Sequence, residues 1–287
     1  MRQAARAVIR IELAKQLSRP RTYLTLGALA GFALALTVAL GATGPGQVEH
    51  VGDIPLLLVP STSALTIPVI ALSSTMKFFL PLAVSVFAGE AVAGEARWGS
   101  LRYMLGRGVS RSRLLAAKGA VAALLSVAAV ALVPIAAVAG GIVPFGWHPL
   151  VAVDGSASSP LQQAAATFQP GEALARLGLA AVYVGAGMTS IFAFAFFLST
   201  VTTRPLVAVA GGVGLTILSR VLNADYLPGV AVLSPLMPNN DVDLWQHLFQ
   251  QPVQTDGMLH FLVLQAAYVA VFLGLAWWWF GRRDVLA

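Results

Sequence analysis

The thirty residues from Gly89 to Lys118, GEAVAGEARWGSLRYMLGRGVSRSRLLAAK, hold Glu90, Glu95, Arg97, Arg102, Arg107, Arg111, Arg113 and Lys118. Only 10% of the 287-residue chain is charged, so this stretch concentrates ionic side chains between two strongly apolar runs. Carboxylates and guanidinium groups in this pattern form ion pairs and dock against other surfaces. Glu90 and Arg97 share a helical face, two turns apart, as do Glu95 and Arg102. These pairs are expected to hold a short helix around residues 97–105 against the ends of two spans, with Trp98, Leu101, Tyr103, Met104 and Leu105 supplying apolar contacts. The plainer reading of the same residues is a solvated loop whose positive charge sets membrane orientation.

Chemistry that breaks bonds is not legible. No G-x-x-x-x-G-K-[ST] stretch is present, so no phosphate-cradling loop for ATP is expected. H-E-x-x-H and G-x-S-x-G are missing too, and Gly185–Ser190 (GAGMTS) reads as helix packing. The chain has no cysteine, which removes disulfides, thiolate metal sites and a catalytic thiol. His50, His148, His247 and His260 fall in loops or at a span edge, without ligand spacing. No catalytic residue, metal site or bound cofactor is expected.

The elements that must position the charged stretch are membrane spans. Hydrophobic residues make up 57% of the chain and mean hydropathy is +0.79, so a polytopic α-helical membrane protein is the default class. The net charge of +6 does not imply nucleic acid, because the basic residues sit at span ends, where topology and anionic lipid explain them. Six spans are expected in a single domain over 1–287, at about 23–40, 73–93, 114–143, 174–200, 206–222 and 259–280. The first is read as a retained span, not a cleaved leader.

Residues 1–21 carry Arg2, Arg6, Arg10, Lys15, Arg19 and Arg21 against the single acid Glu12, with Ala5, Ile9, Leu13 and Leu17 recurring every four residues. That pattern predicts an amphipathic helix on the inner membrane surface, ended at Pro20. Gly27 and Gly31 have small-xxx-small spacing. The second span is the hardest to bound, since apolar sequence runs from Ile54 to Ala88, interrupted by Pro55, Pro60, Pro68, Pro81 and Lys77. With a span starting at Ser73, Lys77 lies near the outer end and snorkels. With a start near Leu65 it lies mid-membrane and becomes a functional candidate. Pro134 is expected to kink the third span, Arg176 to reach outer headgroups, and Arg220 to lie at the outer end of the fifth span. Residues 41–63 and 144–172 read as outer loops, and 223–258, rich in Asp but also in Trp245, Leu248 and Phe249, as a small structured outer element. Trp277–Trp279 form an aromatic belt and Arg282–Arg283 an inside anchor. Fifteen of the 18 basic residues then fall on one side, placing both termini in the cytoplasm.

The order Glu90, Glu95, Gly99-Ser100-Leu101-Arg102, Val109-Ser110-Arg111 and Leu114-Leu115-Ala116-Ala117-Lys118 resembles the signature of type-2 ABC transporter permeases. There a glutamate ends the second span, a Gly-Thr-Leu-Arg-like turn follows, and a Leu-Leu-x-x-Lys segment opens the third span. Ser100 keeps the hydroxyl where the pattern has Thr, while Gly106-Arg107-Gly108 replaces a common Leu-Pro-like pair. The N-terminal helix likewise resembles that family's elbow helix. The resemblance implies an exporter subunit that pairs with a second permease copy or a sister chain. It also implies a separate ATPase subunit, which carries ATP and Mg and is met by Glu90, Glu95, Arg97, Trp98, Gly99, Ser100, Leu101, Arg102, Ser110 and Arg111. A hydrophobic or amphipathic cargo fits the apolar spans, and the Ala-, Gly- and Val-rich composition suits a bacterial plasma membrane. A non-transporting scaffold, sensor or assembly protein is the alternative. An intramembrane enzyme ranks last.

Overall fold

Charged helix ends gather at one end of a helical bundle, and a small sheet caps the other. The computed structural model describes residues 2–42, 56–58, 63–97, 110–154, 165–222 and 234–282. In chain order these form α1 (Arg2–Leu17), α2 (Pro20–Ala42), β1 (Leu56–Leu58), α3 (Thr66–Met76), α4 (Phe79–Arg97), α5 (Arg111–Phe145), β2 (Leu150–Asp154), β3 (Ala165–Phe168), α6 (Pro170–Val201), α7 (Pro205–Val221), a 3-10 helix (Asn240–Phe249) and α8 (Met258–Arg282).

Five of these helices, α2, α4, α5, α6 and α8, are long and apolar enough to cross a bilayer. At 1.5 Å per residue, the 35 residues of α5 span about 52 Å, well beyond the roughly 30 Å of hydrocarbon. The 17 residues of α7 reach only about 25 Å. α4 is the most buried of the five and α8 the least. α4 packs against α5, α6 and α7, so it forms the axis of the bundle, while α2 leans on α5 and α8 on α6. Gly89 of α4 shows why the α4–α7 contact is close. A methyl group there would lie 3.0 Å from the Val209 nitrogen and 3.2 Å from the Ala208 carbonyl carbon. Ser199, fully buried near the end of α6, accepts the Val92 and Ala93 N–H groups at 3.0 and 2.9 Å and fixes α6 to the same helix.

The second expected span is not one helix. The chain turns at Lys77-Phe78 between α3 and α4. Pro81 explains the break: it has no N–H to offer the Lys77 carbonyl four residues back, and its ring crowds that carbonyl. In the first turn of α4 the same proline is harmless. The helix long and apolar enough to cross therefore starts at Phe79 rather than Ser73 and runs to Arg97. The apolar residues before it form α3, nearly all of whose side chains are buried. Half-buried Lys77 sits at the turn, away from the charged end.

The end of the molecule read as outer loops holds the antiparallel sheet β1-β2-β3, a departure from an all-helical reading. Leu57 pairs with Val153 and Val151 with Thr167. Pairings between such distant segments carry no local sequence signal. Trp245 and Phe249 of the 3-10 helix are buried beside the sheet, with Phe168 edge-on to Phe249 at 6.4 Å. Residues 234–258 are thus structured, as expected. Arg176 corrects a reading: it does not extend to headgroups but pairs with Glu172 at 2.9 Å, lies 4.3 Å over the Phe168 ring and donates to the Leu248 carbonyl. It clamps the cap to α6. At Gly27 and Gly31, the small-xxx-small pair, a methyl group would meet nothing within 4 Å. Their face makes no close helix contact among the described residues.

Candidate functional site at the charged end

Four helices bring their ionic groups together here. Glu12 and Gln16 lie one turn apart on α1, Glu95 lies in the last turn of α4, Lys118 lies two turns into α5, and Arg21 opens α2. The Lys118 ammonium lies 2.6 Å from Glu95 Oε2 and 3.2 Å from Glu12 Oε1. Lys15 pairs with the other oxygen of Glu95, and Arg21 pairs with Glu90. Gln16 links the two halves, donating to Glu12 at 3.3 Å and accepting from Arg21 at 3.1 Å. Three carboxylates thus meet three cations across α1, α2, α4 and α5.

Burial separates the members. The side chains of Lys118 and Glu95 are 1% and 2% exposed, while Arg21 and Glu90 are 29% and 22% exposed. A charge taken out of water needs compensation from its partners, and losing one partner of a buried pair costs about 3–5 kcal/mol. Exposed pairs contribute about 0–1 kcal/mol. The Lys118–Glu95 contact is therefore the energetic centre.

These charges do not serve their own helices. Glu95 lies at the carbonyl end of α4, and the first turn of α5 carries Arg111 and Arg113 without an acid. Both placements oppose the helix dipole, by about 0.3–1 kcal/mol each where exposed. Pairing between helices supplies the reason for Glu95, which faces Lys15 and Lys118.

α1 is the helix the periodicity predicts, but its protein-facing row is polar. Glu12 and Gln16 are buried while Ile9 and Leu17 are 38% and 40% exposed. The chain breaks at Ser18-Arg19, where Ser18 caps the Lys15 carbonyl at 2.9 Å and Thr22 reaches the Gln16 carbonyl at 2.7 Å. Of the apolar row, Leu13 packs against the core while Ile9 and Leu17 stay exposed.

Of the sequence-predicted site residues, Glu90 and Glu95 join this network, with partners on α1, α2 and α5. Arg111 donates to the Gly281 carbonyl at 3.2 Å, tying the start of α5 to the end of α8. Ser110 takes the N-cap position of α5, in extended geometry, without a side-chain capping bond. Arg97 ends α4 and lines a separate cavity with Arg204. Trp98, Gly99, Ser100, Leu101 and Arg102 lie outside the described residues, as do Tyr103, Met104 and Leu105, so the expected short helix and the Glu95–Arg102 pairing do as well. Lys77 is remote from the site. Glu12, Lys15, Gln16 and Arg21 are the members that spacing arguments missed, and Lys118, singled out in the charged stretch, was given no partner there. The available signal was Glu12, a lone acid in a basic helix.

A second feature lies within the bundle. An apolar cavity of about 500 Å³ opens between α4, α5 and α6, walled by Val84, Val127, Val130, Val182, Met188 and Phe192. Its hydroxyls, Ser126 and Thr189, are bonded to the Ala122 and Ala186 carbonyls of their own helices at 2.9 and 2.6 Å. The lining offers apolar contact and little polar recognition.

The fold and the site define a multi-pass α-helical membrane protein with an ionic network at one end of its bundle. Residues 52–286 match the family described as protein of unknown function (DUF2705), and the chain belongs to that family. No curated protein matches the chain.

Proposed function

We propose that this chain is the membrane-spanning permease subunit of an ATP-driven exporter, working with a separate ATPase and a second permease copy or sister chain. The observation that carries the reading is the Lys118–Glu95 pair with its Glu12 and Lys15 partners. It joins the last turn of α4 to the second turn of α5, the two stems of the segment 98–109, and binds both to α1. A subunit driven from outside the membrane needs such a brace, because a force on 98–109 then moves α1, α4 and α5 together. The permease-like order of residues 90–118 supports the same reading.

In this proposal α7 completes a sixth crossing, the charged end faces the cytoplasm of a bacterial plasma membrane, and the sheet and 3-10 helix lie outside. The positive-inside distribution of Arg and Lys supports that orientation. ATP and Mg belong to the partner, and Glu90, Glu95, Arg97, Ser110 and Arg111, with residues 98–102, form the ATPase-facing element. The apolar cavity favours a hydrophobic or amphipathic cargo.

The test is affinity purification of the tagged chain from gently solubilised native membranes, with mass spectrometry of what accompanies it. A Walker-type ATPase is expected, and Arg102→Ala should release it while the chain keeps its size-exclusion profile. A stable complex without an ATPase would replace this reading with a scaffold or sensor.

A further inference from the structure

A cavity of about 750 Å³ lies at the charged end, away from the ionic network. Its wall comes from Ala96 and Arg97 at the end of α4 and from Thr203, Arg204, Leu206 and Val207 around the start of α7. Packing dictates this meeting. Gly89 faces Ala208–Val209 and Ser85 faces Gly212, so α4 and α7 run antiparallel, and the last turn of one lies beside the first turn of the other. Two arginines therefore line one concave surface, and none of the described residues lining it is acidic. The first turn of α7 adds the positive end of its helix dipole, although Pro205 has no N–H and the Val207 N–H is bonded to the Arg204 carbonyl at 3.1 Å. Beside the arginines, Leu206 and Val207 are 78% and 50% exposed. Arginine forks match the oxygens of a phosphate group. Exposed aliphatic side chains next to them match the chain of the molecule that carries it.

We infer that this cavity is a binding site for the phosphate headgroup of an anionic lipid, held by Arg97 and Arg204, with the lipid's acyl chains running along the exposed side of α7. A free phosphate shares the headgroup chemistry but leaves Leu206 and Val207 unused. The site does not depend on the transport reading, since its readout is lipid retention.

Arg204 carries the test, because it is exposed in a three-residue turn and lies outside the ATPase-facing element. The full-length chain is released from vesicles of phosphatidylglycerol and phosphatidylcholine, and retained lipid is counted by native mass spectrometry. Wild type should retain phosphatidylglycerol selectively, Arg204→Gln should lower that retention roughly fivefold, and Arg204→Lys should fall between them. The control Arg113→Gln, an exposed charge elsewhere at the same end, should leave it unchanged. Size-exclusion profiles identify a misfolded variant, and Arg97→Gln then supplies an independent reading of the same cavity. Equal loss in Arg113→Gln, or unchanged retention in the Arg97→Gln/Arg204→Gln double variant, would overturn the site. If inorganic phosphate at millimolar concentration displaces the lipid and is itself retained, the lipid assignment fails.

Discussion

Replacing Lys118 with methionine tests the energetic centre of the network. The substitution keeps a long side chain at a position that is 1% exposed but removes the ammonium shared by Glu95 and Glu12. Glu95 retains Lys15, whose side chain is 35% exposed, while Glu12 keeps only the Gln16 amide among the contacts described above. A buried pair broken on one side loses about 3–5 kcal/mol, equivalent to a hundredfold to several-thousandfold change in the folded-to-unfolded ratio. Arg21→Met breaks the Arg21–Glu90 pair, which is more exposed on both sides, and should cost about 1 kcal/mol. Both variants are measured by denaturant titration in mixed micelles, following tryptophan fluorescence. Combining Lys118→Met with Glu95→Leu and Glu12→Leu should recover most of the loss, because an apolar replacement of a whole buried ionic group is often neutral. The reasoning fails if Lys118→Met costs no more than Arg21→Met, or if the triple variant is less stable than the single one.

Two further outcomes follow from the packing. Gly89→Ala should destabilise the protein by about 1–3 kcal/mol, because the new methyl group meets the backbone of α7 at 3.0 Å, whereas Gly27→Ala, with nothing within 4 Å, should be neutral or raise the thermal midpoint. A midpoint order with Gly27→Ala below Gly89→Ala would contradict the α4–α7 contact. Arg176→Ala removes an ion pair, a ring contact and a carbonyl bond and should loosen the cap by about 2 kcal/mol. Hydrogen exchange of residues 240–250 should accelerate while the core of α4 stays protected; uniform acceleration, or none, would deny Arg176 its clamping role.

The helical elements were legible because a bilayer demands long apolar runs, and α2, α5, α6 and α8 begin and end within about four residues of the predicted spans. The second span was misplaced because apolar composition is continuous across 54–88, and hydropathy cannot see a backbone break. Pro81 held that information, since it has no N–H to donate to the Lys77 carbonyl four residues back. At the site, the importance of Glu90 and Glu95 was legible but their partners were not. Same-helix spacing suggested Arg97 and Arg102, whereas Arg21, Lys15 and Lys118 arrive from helices that meet only when the bundle closes. The sheet of the cap was invisible for the same reason, since Leu57 pairs with Val153 across nearly a hundred residues.

By itself, then, the sequence determined that this is a multi-pass membrane protein, because lipid tolerates only apolar surface on spanning helices and drives charge to their ends. It also determined where that charge collects. Tertiary structure decided which charges pair, with Lys118 between Glu95 and Glu12 and Arg21 on Glu90, and which arginines line a common cavity. The physical reason is one of range. Hydropathy and proline act over a few neighbouring residues, whereas an ion pair depends on the distance between atoms that only the folded bundle sets.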